Sequence, residues 1–204
     1  MSDFLFKKDV DIYDPNVNGL VEFEAERQAR RLIMIPSESI APKAVRELLA
    51  SPFANIYAEG YPRPATRYQD EDTIMDYAYQ LGRYRRHSDP RYYKGVEYVD
   101  MLESLARRRA AELFAANDLN ADDLWVNVQP LSGAPANTAV YTALIQPGDA
   151  ILGMDLLVGG HLTHGSPVNR SGLFYNAFHY SVDPKTERLD YDKIMEQAKA
   201  CKPK

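Results

Sequence analysis

The stretch LWVNVQPLSGAPANTAVYTALIQPGDAILGM, residues 124–154, decides the fold class of this chain. LWVNVQP is a short run of β-forming residues, and the segment from Pro135 has the apolar spacing of a helix. AILGM is a second candidate strand that follows a Pro-Gly-Asp turn. Strand, helix and strand in this order are typical of helices packed on a parallel sheet. The stretch therefore predicts an α/β architecture with a mostly parallel sheet and flanking helices.

The segments on either side extend this pattern. Apolar side chains at helical spacing predict a long helix at residues 97–116, and the start of the chain predicts a helical arm with a helix at 19–31. After the central stretch, residues 173–182 predict a further strand and residues 183–200 predict a turn and an amphipathic helix. The alternation of strands and helices thus continues toward the end of the sequence.

Composition and charge limit the classes of partner. The 204 residues carry a formal net charge of -5 and one cysteine, Cys201. An acidic chain without a continuous basic patch does not attract nucleic acid, and a single cysteine fits a reducing compartment. No apolar stretch approaches the roughly 20 residues of a membrane span, and the first residues lack the apolar core of a signal peptide. We therefore expect a soluble, cytoplasmic protein that binds neither nucleic acid nor a membrane.

Ser132, Gly133 and Ala134 stand at the start of the helix in the central stretch. Small residues let a ligand approach the backbone, and the N–H groups and dipole of a helix N-terminus favour an anion such as phosphate. Serine is also a common N-cap residue, so a simple capping role is the alternative. The residues themselves leave both interpretations open.

The turn GGHLTHG, residues 159–165, holds His161 and His164 three positions apart. Two histidines at this spacing are compatible with a metal ion, but no cysteine stands nearby and Asp155 is a weak third ligand, so we expect no metal site. An imidazole between glycines can stack on a flat cofactor ring. In the alternative interpretation its nitrogens bond to the backbone and the residue serves only the turn.

Two tyrosine-rich segments supply the other candidates. NIYAEGYP places Glu59 two residues after Tyr57, and a carboxyl group beside aromatic surface suits proton transfer. The alternative is a glutamate that only faces solvent, as most glutamates do. RYYKG contains Tyr92 and Tyr93, which can bond a phosphate or relay protons, although tyrosine pairs more often serve packing.

Taken in order, the segments PSES, YAEGYP, RYYKGVEYVD, NVQPLSGAPAN, PGDAILGMDL and GGHLTHGSPVN make this chain resemble the N-terminal portion of serine hydroxymethyltransferase. The resemblance runs from about residue 31 onward, apart from an insertion at about residues 63–90. It implies a fold-type-I, aminotransferase-like transferase that uses pyridoxal 5'-phosphate. On this basis residues 1–31 are an N-terminal arm, and residues 32–204 are an incomplete large domain.

The resemblance also implies roles for the cofactor-binding residues. Ser132, Gly133 and Ala134 correspond to the contacts with the cofactor phosphate. His161 corresponds to the catalytic imidazole that stacks on the pyridine ring. Active sites of this fold lie between two subunits, so the resemblance implies that Ser37 and Tyr57 reach the cofactor across a homodimer, and that Glu59 is likewise donated across it.

A second set of residues is implied for serine, glycine and the folate. Glu59 is the expected proton-transfer carboxylate and also lies close to the folate, and Tyr93, with Tyr92 beside it, is the expected catalytic tyrosine on the substrate side. The positions that correspond to the folate-lining residues are Leu156, Gly160 and Leu162.

The resemblance implies the reversible, pyridoxal-phosphate-dependent transfer of the serine hydroxymethyl carbon to tetrahydrofolate, which gives glycine and methylenetetrahydrofolate. Family members hold the cofactor through a lysine in a threonine-rich, histidine-lysine motif, and no lysine in these 204 residues stands in such a motif. We therefore assign no Schiff-base lysine, and we expect turnover to require a longer chain or a complementary C-terminal chain. The alternatives are an inactive fragment, a cofactor- or folate-binding interaction subunit, and a threonine aldolase-like enzyme.

The insertion has a helical pattern of its own. Acidic residues from Asp70 precede an apolar stripe that includes Ile74, Tyr77 and Leu81, and arginines follow before Pro90. Acids first and bases last complement the helix dipole, so we expect one helix. It could cover the cleft of a dimer or alter access for the folate, and a plain surface elaboration is the alternative.

Overall fold

The computed structural model describes residues 10–88 and 90–204. The chain divides between Tyr57 and Ala58 into two compact units. The division inferred from the sequence, an arm at 1–31 and a domain at 32–204, stays a prediction, and its first nine residues lie outside the described part.

The first unit is helical. Its helices are α1 (Val10–Tyr13), α2 (Pro15–Arg30) and α3 (Lys43–Leu49), and a 3-10 turn follows at Pro52–Asn55. The helix predicted at 19–31 begins earlier, because the Asp14 carboxylate accepts a hydrogen bond from Val17 N at 3.1 Å and Pro15 occupies the first helical position. No residue of α2 is buried within the described chain.

The first helices of the second unit belong to the insertion. It contains a 3-10 turn (Pro64–Tyr68) and the helices α4 (Glu71–Met75) and α5 (Tyr77–His87). The single predicted helix is therefore divided in two, because Asp76 leaves the helical conformation and its carboxylate caps α5 by accepting from Tyr79 N at 2.9 Å. Tyr77, predicted on the apolar stripe, is more than half exposed, whereas Ile74 is only 1% exposed.

The core of this unit lies between the insertion and the long helix α6 (Glu97–Phe114), which confirms the predicted helix. Besides Ile74, the buried apolar side chains include Pro62, Val96, Met101 and Ala111. Within the same contact, Ser104 Oγ donates to Thr66 Oγ1 at 3.0 Å. The insertion thus contributes to the core instead of lying on the surface of a finished domain.

The prediction of a strand at LWVNVQP is wrong for the described structure, because residues 124–130 pair with no strand. Arginine side chains bond their carbonyl groups instead. Arg67 Nε donates to Leu124 O at 3.3 Å, and Arg107 Nε donates to Val126 O at 3.1 Å. The segment is extended at Leu124, but guanidinium groups occupy the bonding positions that a neighbouring strand would use.

A 3-10 turn at Ala121–Asp123 follows α6, and the elements after it form the α/β layer. They are α7 (Gly133–Leu144), β1 (Ala150–Met154), α8 (Arg170–Phe174), β2 (Asn176–Tyr180) and α9 (Tyr191–Cys201), with 3-10 turns at Leu156–Val158 and Leu162–His164. The two strands run parallel, from the pair Ala150↔Asn176 to the pair Met154↔Tyr180. The parallel α/β arrangement is confirmed, although the described sheet has only these two strands. In the described ranges, no helix has the length and apolar character needed to cross a membrane.

Candidate functional site

The N-terminus of α7 is open. Ser132 is extended, with φ at -160°, and its hydroxyl does not form the capping hydrogen bond that the simpler interpretation requires. A Cβ added at Gly133 would meet nothing within 4 Å, and Ser132 and Gly133 are both exposed. The first turn of this helix can therefore receive an anion at its backbone N–H groups.

Gly160 sets the tight turn between β1 and His161. Its N–H donates to Asp155 O at 2.8 Å, and a Cβ at this position would lie 2.0 Å from Met154 O. The Asp155 carboxylate in turn accepts from Leu157 N at 2.8 Å. This turn places His161 just beyond the carboxyl end of a parallel strand, which is where ligands bind in open α/β sheets.

A chain of hydrogen bonds joins the His161 imidazole to α7. His161 Nδ1 accepts from Thr163 N at 3.1 Å and lies 2.8 Å from Thr163 Oγ1. Asn137 Nδ2 donates to the same Oγ1 at 2.8 Å. Because Nδ1 is an acceptor, the proton of the neutral ring stands on Nε2. Thr163 is only 2% exposed while His161 is exposed, so a buried polar link orients a ring that a ligand can reach.

Tyr141 reinforces this link from the next turn of α7. Its hydroxyl donates to Thr163 O at 2.8 Å, and its ring meets that of Tyr175 edge to face at 5.5 Å. Burial, followed by the neighbouring Tyr175, raises the pKa of Tyr141 above its ordinary value. Tyr141 therefore stays protonated and acts as a donor that fixes the turn.

His164 is half-buried and bonds within the turn. Its Nδ1 accepts from His161 N at 3.2 Å, and the two rings are 5.8 Å apart. Burial, and then the neighbouring His161 and His179, lower the pKa of His164. The Nδ1 atoms of both histidines are thus used within the turn, and in the described part of the chain no three histidine, cysteine or acidic side chains group as a metal site.

The Glu59 segment is held against the RYYKG segment. Tyr92 N donates to Glu59 O at 3.2 Å, and Arg91 Nη1 donates to Ala58 O at 2.7 Å and to Gly60 O at 3.0 Å. Gly60 has a φ of +105°, and a Cβ there would lie 3.1 Å from Arg91 Cα. The structure therefore brings two predicted site segments together across the insertion, with the Glu59 side chain exposed.

Arg91 is the residue that the sequence reasoning missed. It is 3% exposed, its Nε lies 2.5 Å from Asp100 Oδ1, and its Nη2 lies 2.7 Å from Glu103 Oε2. Burial acts to lower the pKa of Arg91, but the hydrogen bonds to the two carboxylates outweigh it and raise the pKa above its ordinary value. The available signal was the pair of acids three apart on the long helix, which fall on one face.

Gln129 connects this cluster to the start of α7. Its Nε2 donates to Gly60 O at 2.7 Å and lies 3.1 Å from both carboxylate oxygens of Glu103. Ser132 follows only three residues later in the sequence. The Glu59 segment and the start of α7 are thus both connected to the short segment from Gln129 to Ser132.

The other predicted site residues are mostly exposed. Tyr92 is 78% exposed and Tyr93 47%, and the candidate folate residues Leu156 and Leu162 are 48% and 43% exposed. Ser37 and Tyr57 belong to the first unit, where both are exposed. Their proposed roles across a dimer stay predictions.

One comparison with known proteins gives a match over most of the chain. The family model described as serine hydroxymethyltransferase matches residues 10–89 and 86–204. The two matched segments overlap at residues 86–89, at the carboxyl end of the insertion inferred from the sequence. The match therefore includes every candidate site residue described above.

Proposed function

This chain belongs to the serine hydroxymethyltransferase family, and we propose from that membership that it supplies part of the active site for reversible transfer of the serine hydroxymethyl carbon to tetrahydrofolate. The products are glycine and methylenetetrahydrofolate. The observation that carries the proposal is the Asn137–Thr163–His161 chain of hydrogen bonds, which ties an exposed imidazole to the helix whose N-terminus is open.

The residues at the start of α7 fit the phosphate of pyridoxal 5'-phosphate. The Ser132 hydroxyl makes no capping bond, and the space beside Gly133 is open. Backbone N–H groups at Gly133 and Ala134, together with the helix dipole, suit a doubly charged anion. We assign the phosphate contacts to these three residues.

His161 fits the ring of the same cofactor. Its imidazole is exposed and is oriented through Nδ1, so one face can stack on a flat aromatic system. When bound, the cofactor provides an electron sink for the charge left when a bond to the amino-acid α-carbon breaks. The part of His161 is to hold that ring in one plane.

Glu59 is the proposed proton carrier. Its backbone is anchored while its carboxylate is exposed, so that an oxygen of the carboxylate can hold and return the proton of the substrate hydroxymethyl group. Tyr93, with Tyr92 beside it, would bind on the substrate side. Leu156, Gly160 and Leu162 would line the folate.

The proposal includes a partner and a compartment. A second copy would contribute Ser37 and Tyr57, and with them Glu59, to each site of a homodimer. No lysine of this sequence stands in the motif of the cofactor lysine, so we propose that turnover draws that lysine from additional residues, either on a longer chain or on a complementary one. The chain has a single cysteine, which fits a reducing compartment and favours the cytoplasm.

The test is the cleavage of serine labelled at carbon 3, with pyridoxal phosphate and tetrahydrofolate. It is run with the 204-residue chain alone and with a polypeptide that carries the rest of the family sequence. In the complemented sample we expect the label in methylenetetrahydrofolate, together with unlabelled glycine. Glu59→Gln should lower the rate about 100-fold or more, because general acid–base groups contribute about that much.

The matched control is Glu187→Gln, which removes an exposed carboxylate of the same unit and should leave the rate unchanged. Cleavage that does not depend on the folate would favour the aldolase-like alternative. Absence of turnover in the complemented sample would contradict the proposal and favour an inactive subunit.

A further inference from the structure

We propose that Arg91 is a positioning residue for Glu59, an inference that rests on the proposed role of that carboxylate. Arg91 Nη1 donates to Ala58 O at 2.7 Å and to Gly60 O at 3.0 Å, so it holds the carbonyl groups on both sides of Glu59. The next residue, Tyr92, donates its N–H to Glu59 O at 3.2 Å. Two adjacent residues thus hold three successive carbonyl groups.

We call Arg91 and Tyr92, with the three carbonyl groups that they hold, the clamp. The clamp is itself anchored to α6. Arg91 Nε bonds Asp100 at 2.5 Å and Nη2 bonds Glu103 at 2.7 Å, and the arginine side chain is only 1% exposed. Both acids belong to one face of α6, which has 18 residues and is the longest described helix of the unit. Charge-assisted bonds from two directions leave the guanidinium little freedom to rotate. Through Arg91, the backbone on both sides of Glu59 is therefore attached to α6 and not only to its own loop.

A lysine could not replace this arginine in the same role. The guanidinium is a planar fork with five N–H donors, and here all three of its nitrogens have acceptors, which lie on two segments, α6 and residues 58–60. An ammonium group is a compact charge with three donors and cannot reach two carboxylates and two carbonyls at once. Charge alone does not explain the site.

The clamp holds the backbone of an exposed residue, Glu59, from which the proposed catalytic carboxylate extends. Glu59 must leave its oxygens accessible to substrate. Holding the backbone at Ala58 and Gly60 fixes the point from which the side chain extends without covering it. Gln129 supports the same carbonyl of Gly60, at 2.7 Å.

The first test is hydrogen exchange on the full chain, which needs no activity. In Arg91→Lys we expect the Tyr92 amide and the 58–62 segment to exchange about 10-fold faster or more, because the local structure opens. The amides of β1 and β2 should not change. The matched control is Arg109→Lys, whose exposed side chain, on the same helix, pairs with Glu71; it should leave the exchange of Tyr92 unchanged. Equal exchange at Tyr92 in Arg91→Lys and wild type would overturn the proposal.

The second test is a double-mutant cycle in the complemented sample used for turnover. Arg91→Lys should lower kcat about 10- to 100-fold with little change in KM for serine, as expected for a misplaced group. In the Glu59→Gln background, Arg91→Lys should not lower kcat any further. If the double variant lost kcat by the product of the two single losses, Arg91 would act independently of Glu59. That result would overturn the positioning role. If the wild type has no turnover, the proposed function fails, while the exchange comparison still decides whether Arg91 holds the segment.

Discussion

At the residue scale, Gly160 determines how the chain leaves β1. The turn brings its α-carbon so close to the preceding backbone that an added Cβ would lie 2.0 Å from Met154 O and 2.7 Å from Asp155 O. Backbone atoms cannot yield as a flexible side chain can. Any residue larger than glycine must therefore displace the turn that carries His161.

We predict that Gly160→Ala lowers the free energy of unfolding by about 1–3 kcal/mol, measured by urea denaturation. The same substitution at Gly82, in the interior of α5, meets no atom within 4 Å. It should raise stability by about 0.5–1 kcal/mol, because alanine is the better helix former. A Gly160→Ala protein as stable as wild type would refute the close approach.

A second prediction concerns pH. The pKa of His164 is lowered from 6.5, first by burial and then by His161 and His179. The unfolded chain therefore binds the proton more readily, so the stability from neutral His164 is complete above about pH 6.5 and is lost as the pH falls through the lower folded pKa. Protonation also removes the Nδ1 acceptor for His161 N.

The measurement is the midpoint of urea unfolding between about pH 7 and pH 5. His164→Asn keeps an acceptor but does not titrate, so it should flatten part of the acid-side loss. His87→Asn, at an exposed position at the end of α5, should keep the wild-type slope. Identical slopes for wild type and His164→Asn would contradict the assignment.

The sequence identified which residues to examine but not how they are oriented. Ser132, His161 and Glu59 stood in recognisable segments, whereas the bond that links Asn137 to Thr163 spans 26 positions. Such contacts depend on how helices and turns pack, which no local pattern encodes. The same reason explains why the partners of Arg91, on another helix, were missed.

At the scale of elements, the insertion is tied to the core through Ile74. Its side chain is 1% exposed against α6. We predict that Ile74→Ala lowers the free energy of unfolding by about 2–5 kcal/mol, since it leaves a cavity in the core. Leu113→Ala on α6, where the leucine is 79% exposed, should change stability by less than about 0.5 kcal/mol. Equal effects in urea denaturation would show that the insertion is a surface elaboration.

The extended segment 124–130 depends on Arg67. This guanidinium donates to Leu124 O and lies 4.0 Å from the ring centroid of Trp125, the single tryptophan of the chain. Trp125 is 77% exposed, so the guanidinium covers only part of its ring. We predict that Arg67→Gln changes the intrinsic fluorescence of Trp125 and costs about 1–3 kcal/mol of stability. Arg85→Gln, an exposed change in α5, should do neither. Unchanged Trp125 fluorescence in Arg67→Gln would contradict this role.

Helices were easier to predict than strands for a physical reason. The periodicity that located α6 and α9 is local, and so are the caps that end a helix. A strand forms only with a partner, so the β-forming composition of residues 124–130 could not ensure pairing. The break at Asp76 was missed because an acid near a helix start reads equally well as a dipole partner and as a new cap.

At the scale of the whole molecule, the buried apolar side chains are unevenly distributed. In the described residues they lie between positions 62 and 111, whereas Leu131, Leu144 and Leu173 in the α/β layer are 94%, 75% and 71% exposed. Contiguous exposed apolar patches are where another chain packs. The exposure of these leucines supports the proposal that a second copy or a complementary chain covers this layer.

We propose that the start of α7 binds the phosphate of pyridoxal 5'-phosphate and that the His161 turn binds its ring. The most direct measurement is equilibrium dialysis with the cofactor and with pyridoxal, which lacks the phosphate, for wild type, Ser132→Asp and the exposed control Ser181→Asp. We predict that wild type binds the phosphorylated form more tightly. Ser132→Asp should weaken that binding about 10-fold or more and spare pyridoxal, because a negative charge then meets the phosphate. Equal binding of both ligands by wild type, or undiminished cofactor binding by Ser132→Asp, would contradict the account.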